Sequence, residues 1–135
     1  MTSTKTLIIS IIISFLVLES SMLFADETAT DNSGLIWQKD SVSGKTWQEA
    51  LAYCENLTYA GYSDWRLPNK NEVIYLSQRT SPKGYINNGD TWTSSTSQAD
   101  STKAWYVNIH LTIELYTFKI SVDKKSNTRS VRCVR

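Results

Sequence analysis

Ala60-Gly61-Tyr62-Ser63-Asp64-Trp65-Arg66-Leu67-Pro68-Asn69 joins two helix-like segments and concentrates aromatic, charged and turn-forming side chains. Before it lies Thr46-Trp47-Gln48-Glu49-Ala50-Leu51-Ala52-Tyr53-Cys54-Glu55-Asn56-Leu57, and after it Asn69-Lys70-Asn71-Glu72-Val73-Ile74-Tyr75-Leu76. Each segment opens with a capping-box pattern, Thr46 with Glu49 and Asn69 with Glu72, whose side chains can satisfy the free N–H groups of a first helical turn. In the first segment Trp47, Ala50, Leu51, Cys54 and Leu57 recur at three- and four-residue spacing, which gives one apolar face and turns Cys54 toward the core. Val73 and Leu76, with Tyr75 as a third candidate, do the same over a shorter length. Gly61 permits positive φ, and Pro68 keeps Leu67 out of the helical region, so the chain is extended as it enters the second cap. The connection between the two helices is therefore expected to hold one shape.

Beyond the second helix, Arg79 to Asp90 is polar and contains Pro82, Gly84 and Asn87-Asn88-Gly89-Asp90, the pattern of a long loop ending in a turn. Strand-like runs follow at Thr91-Trp92-Thr93, Ala104 to His110, Ile113 to Ile120 and Arg129 to Val134, rich in aromatic and β-branched residues. In the second of these Trp105, Val107 and Ile109 alternate with Tyr106, Asn108 and His110, which predicts one buried and one more exposed face. Upstream, Gly34 to Gln38 has the apolar density of a first strand, followed by a turn around Ser43-Gly44. Helices early and strands late predict an α+β fold, two helices packed on a mostly antiparallel sheet.

The N-terminus has the composition of a secretory signal: Lys5, an apolar core from Leu7 to Leu18, and a cleavage site after Ala25. That core is shorter than the roughly 18 to 20 residues of a spanning helix, and an uncleaved anchor is the alternative. Contact with a membrane is thus expected only through the signal segment, and the protein is expected to be exported to the periplasm, the cell surface or the medium. Removing residues 1–25 leaves roughly 110, a length that supports one domain. Residues 26–33 are polar and without apolar periodicity, which predicts a flexible lead-in to a domain spanning 34–135. Cys54 and Cys133 are the two cysteines, and in an exported chain such a pair is expected to form a disulfide, against the alternative of two buried thiols.

The runs Thr46-Trp-Gln-Glu-Ala-Leu-Ala-Tyr-Cys, Gly61-Tyr-Ser-Asp-Trp-Arg-Leu-Pro-Asn, Trp92-Thr-Ser-Ser-Thr, Ala104-Trp-Tyr-Val-Asn and Val131-Arg-Cys-Val-Arg resemble, in order and spacing, a bacterial family. It is the Lcl C-terminal type, named for the terminal domain of a collagen-like adhesin and catalogued as a domain of unknown function. The resemblance covers roughly residues 34–135. It implies a C-type-lectin-like fold in which a disulfide joins the first helix to the last strand, an arrangement that Cys54 and Cys133 fit. The adhesin binds sulfated glycosaminoglycans, but this chain has no Gly-X-Y stalk. At His110-Leu111-Thr112-Ile113 the sequence departs from the Gly-containing hairpin turn of many relatives.

The residues give little support to catalysis. There is one histidine, His110, and no Ser/His/Asp constellation, Gly-rich phosphate loop or metal-ligand spacing, so neither an enzyme, a cofactor nor a metal is expected. Asn87, Asn88 and Asp90 are rich in oxygen but read as a plain turn. In the central loop Asp64, Trp65 and Arg66 could grip a polar ligand. The expectation favours scaffolding, with the indole in the core and the charges anchoring the loop. Charge is polarised along the chain: residues 119–135 carry Lys119, Lys124, Lys125, Arg129, Arg132 and Arg135 against Asp123, whereas acidic residues outnumber basic ones over 26–118. A basic end on an exported domain can attract sulfated or other anionic glycans. These observations predict a non-enzymatic binding module for such a glycan or another surface component, with a self-associating structural or protein-binding module as the alternative. Export makes nucleic acid a poor partner.

Overall fold

The computed structural model describes residues 27–79, 89–111 and 116–135, and both predicted helices are present in it. Helix α1 spans Trp47–Glu55 and α2 spans Lys70–Arg79. Both capping boxes close reciprocally. The Glu49 N–H donates to Thr46 Oγ1 and the Thr46 N–H donates to Glu49 Oε2, 2.8 Å away. The Glu72 N–H donates to Asn69 Oδ1 at 3.0 Å and the Asn69 N–H to Glu72 Oε2 at 2.8 Å. Helices this short are marginal in isolation, so packing of their apolar faces must hold them.

Among the described residues seven strands accompany them: β1 (Thr28–Thr30), β2 (Ile36–Gln38), β3 (Val42–Lys45), β4 (Gly89–Thr96), β5 (Lys103–Leu111), β6 (Tyr116–Lys124) and β7 (Arg129–Val131). β1 and β2 form an antiparallel pair, and the other five form a sheet in the order β3-β7-β4-β5-β6. Within that sheet only β4 and β7 run parallel. The expected α+β arrangement of two helices with a mostly antiparallel sheet is therefore present.

The sheet is covered on both faces. One core cluster joins Trp47, Ala50 and Cys54 of α1 to Trp65, Leu67, Trp92, Ala104, Val131 and Cys133, with Tyr106 packed against it. A second joins Val73 and Leu76 of α2 to Trp37, Val107, Ile109 and Val134. Because side chains alternate along a strand, Ala104 and Tyr106 point to one face of β5 and Val107 and Ile109 to the other, so the clusters lie on opposite sides.

After β7 the chain continues extended to Arg135 and is clasped from both sides. Ile36 and Arg135 exchange N–H···O bonds of 2.9 Å, as do Arg66 and Val134, while the Gln38 N–H donates to the Cys133 carbonyl at 3.0 Å. This segment thus stitches β2 to the central loop. The Cys54–Cys133 disulfide, with a Cα separation of 5.5 Å, ties it to α1.

Some local readings differ from the structure. The segment expected as a flexible lead-in is ordered from Thr28, where β1 pairs with β2. Its order comes from a hydrogen-bonding centre that periodicity does not reveal: Asp31 accepts from the Ser33 N–H and hydroxyl, the Leu35 N–H and the Trp37 indole N–H. The turn expected at Ser43-Gly44 is instead part of β3, where Gly44 has φ +74° and the pairing with β7 shifts register between Val42 and Lys45. Glycine there serves a bulge, which keeps the strand going while bending it. Of the loop expected over Arg79 to Asp90, Arg79 ends α2 and Gly89 and Asp90 open β4, while residues 80–88 and the departure at residues 112–113 lie outside the described residues.

Candidate functional site

The central loop begins with a two-residue hairpin turn. Tyr59 and Tyr62 exchange N–H···O bonds of 2.9 and 3.0 Å across Ala60 and Gly61, both of which have positive φ. Gly61 adopts this conformation without cost, and Ala60 pairs with it to give the twist of a tight hairpin. The Trp65 indole N–H donates to the carbonyls of Tyr59 and Tyr62, each at 3.2 Å, and its ring meets that of Tyr59 edge-on at 5.7 Å. Trp65 is buried, so it closes the turn from inside.

Asp64 and Arg66 each take a partner outside the loop. Arg66 forms a bidentate pair with Glu72 at 2.7 and 2.8 Å, and Glu72 also caps α2. The Arg66 guanidinium holds the Glu72 carboxyl below the usual carboxylate range, against burial that pushes the other way. Asp64 accepts from Arg135 Nε at 2.7 Å and from its terminal nitrogen at 3.1 Å, which lowers the Asp64 carboxyl. The same guanidinium lies 3.6 Å from the centre of the Tyr62 ring. One charge thus fastens the loop to α2 and the other fastens it to the C-terminal residue.

The six basic residues read from the C-terminal end do not share one face. Arg129 is a partly buried hub: its guanidinium pairs with Asp90 and Asp123 and lies over Tyr106, 3.4 Å from the ring centre, with Trp92 beside it. Arg132 is buried, and burial lowers its pKa to about 10 against the opposing charges of Asp40 and Tyr59. Arg135 is held by Asp64. Lys119 and Lys124 are exposed but lie five residues apart on β6, on opposite faces and about 17 Å from one another along the strand. Lys125 caps the buried Trp47, its Nζ 4.2 Å from the ring centre.

A different basic grouping emerges from the pairing. Lys124 sits opposite Lys103 across β5 and β6, the Lys125 N–H donates to the Thr102 carbonyl, and the Trp47 N–H donates to the Lys125 carbonyl. Lys45, at the end of β3, stands two residues before Trp47 with its Nζ 5.7 Å from the Tyr53 ring centre. Lys103, Lys124 and Lys125 therefore lie together at one end of the β5–β6 pair, with Lys103 balanced by Asp100 at 3.2 Å, whereas Lys45 pairs opposite Arg129 of β7. Lys103 lies far from the basic C-terminal tract in sequence, so charge counting along the chain cannot group it with Lys124 and Lys125.

The family model described as the Lcl C-terminal domain matches residues 27–135. The chain belongs to this family. No curated protein matches it. The matched span begins one residue before β1, so the Lcl C-terminal domain here includes the β1–β2 pair and its Asp31 centre. Among the described residues of the domain, no three His, Cys, Asp or Glu side chains are grouped to hold a metal ion. His110 is exposed on β5, and both cysteines are in the disulfide.

Proposed function

We propose that this Lcl C-terminal domain is an exported, non-enzymatic binding module of C-type-lectin-like fold whose ligand is an anionic glycan or another anionic surface component. The observation that carries the reading is that Lys103, Lys124 and Lys125 lie together at one end of the β5–β6 pair, while Arg129 and Arg135 of the same basic tract are paired with carboxylates. Lysine ammonium groups on flexible stems can follow an irregular array of sulfates or carboxylates, making point-charge contacts that need no fixed register. The disulfide is what an oxidising compartment permits, and it supports export together with the signal-like N-terminus. For the lectin-like fold, the support is the α1-to-C-terminus disulfide together with the two helices and mixed sheet.

Heparin-column retention of the domain, with and without the substitutions Lys124→Glu and Lys125→Glu, tests the reading. The double variant should elute at clearly lower salt. Lys125 covers Trp47, so a thermal melt of the variant separates lost contact from lost folding. Unchanged elution by a folded variant would remove the anionic-glycan reading. A second reading, self-association, draws on β6 being the last strand of the sheet order, with an outer edge that could pair with another copy. Sedimentation of the domain over a range of concentration would show it as a dimer.

A further inference from the structure

The start of α2 and the turn between β4 and β5 enclose an open cavity of about 510 Å³. Asn69, Lys70, Asn71, Ser95, Gln98 and Trp105 are among its lining residues. Its walls are fixed by backbone contacts. The Lys70 N–H donates to Ser95 Oγ at 3.0 Å and the Ser94 N–H to the Pro68 carbonyl at 2.8 Å, which docks the helix start on β4. Across the turn, the Ser97 N–H donates to the Lys103 carbonyl, and Asp100 accepts from the Thr102 N–H and hydroxyl. Trp105 shares the face of β5 that carries Val107 and Ile109, yet it stays partly exposed where they are buried. The Lys70 Nζ lies over its ring, 4.3 Å from the centre.

From this geometry we propose that the cavity is a saccharide subsite selective for a pyranose that carries a carboxylate. Carboxamide and hydroxyl side chains can both donate to and accept from sugar hydroxyls. An indole face, negative at its centre, suits the C–H-bearing face of a pyranose ring. The lysine selects the acid. At an exposed site its contact with the indole is worth about 0.5 to 1 kcal/mol. A hydrogen bond from an ammonium to a carboxylate is worth about 1.5 to 3 kcal/mol. An acidic sugar therefore draws Lys70 off the ring and exposes the face on which the sugar stacks, whereas a neutral sugar must displace the cation without that return. The lysine acts as a cover that only the charged ligand removes. The ligand class rests on the glycan-binding reading above, but the site does not use Lys124 or Lys125.

Methyl β-glucuronide and methyl β-glucoside, titrated into 15N-labelled domain, provide the test. The glucuronide should shift the amides of residues 69–71 and 95–99 and the Trp105 indole N–H, and the glucoside should bind at least about tenfold more weakly. Lys70→Gln should abolish that preference with little change in melting temperature, while heparin retention through the lysine end stays as in the parent. Gln98→Ala, at an exposed turn position, should weaken both sugars. Equal binding of the two sugars, shifts located elsewhere, or no shifts at tens of millimolar sugar would overturn the subsite. Loss of heparin retention by Lys124→Glu/Lys125→Glu with the glucuronide response intact would show that the two sites stand or fall separately.

Discussion

At the residue scale the most consequential side chain is one with no obvious sequence signal. Asp31 is buried, and its carboxylate accepts from four donors, among them the Trp37 indole at 2.8 Å. Burial alone would raise its pKa, but the bonds from Ser33, Trp37 and Leu35 outweigh it and the carboxyl is lowered. A lowered folded-state pKa stabilises the protein above the unfolded value, near 4, and that stabilisation disappears as pH falls through the folded value. Asp31→Asn removes the charge and replaces one acceptor with a donor, so it should cost about 2 to 3 kcal/mol at neutral pH. Melting curves from pH 7 down into the acid range should show the gap to the parent closing as Asp31 protonates. A gap independent of pH would mean that shape, not charge, is what matters at this position. Arg66 is a milder case. Its pair with Glu72 is bidentate but nearly half exposed on the arginine side, which limits its contribution to about 1 kcal/mol. Arg66→Ala should lower the melting temperature by a few degrees and leave heparin retention unchanged. If retention vanished with the melt unmoved, the central loop would be a contact surface and not a scaffold.

Among the elements, the C-terminal segment does the most to unify the fold. It is a short extended piece, yet it hydrogen-bonds to β2 on one side and to the loop at Arg66 on the other, and Cys133 anchors it to α1. α1 has nine residues and buries Trp47, Ala50 and Cys54, with Leu51 and Tyr53 packed beside them, so its interface is small and the crosslink adds to it. The disulfide closes a loop with a sequence separation of 79. On a chain-entropy account such a crosslink stabilises by about 4 to 5 kcal/mol. Replacing both cysteines with alanine should lower the urea midpoint accordingly, and peptide mapping of the oxidised parent should recover the Cys54–Cys133 peptide. Two free thiols in oxidised material would contradict the link between helix and terminus. So would a double variant as stable as the parent.

For the whole molecule, the arrangement of charge matters more than its sum. Net charge is +1, too small to drive association with a polyanion by itself. Arg129 and Arg135 are paired with carboxylates, and Lys103, Lys124 and Lys125 at one end of the β5–β6 pair carry the local positive field. Contacts of that kind are screened by salt, so retention on heparin should fall steadily once the Debye length drops to about 8 Å and below. One domain should bind modestly, and pairing of two copies along β6 would raise avidity by placing two lysine ends on one chain of sugar.

The sequence by itself determined the helices, their caps and most of the strands, because capping boxes, three- and four-residue spacing and β-branched alternation are local patterns with local physical causes. It also determined the family and, through a lone pair of cysteines, the crosslink. Tertiary structure decided what each charge does. Arg129, Arg132 and Arg135 resemble Lys119, Lys124 and Lys125 in a count of positive residues. Only the packing shows that Arg129 meets Asp90 and Asp123, that Arg132 is buried, and that Arg135 meets Asp64. The order of residues 28–33 was equally hidden, since it depends on Asp31 reaching Trp37 rather than on any repeat. Trp105 has the strand position of a core residue, and only the crossing of α2 over the end of β4 and β5 leaves it lining a cavity under Lys70. Long-range pairing of polar groups has no period, and that is why the candidate binding surface was the least legible part of the chain.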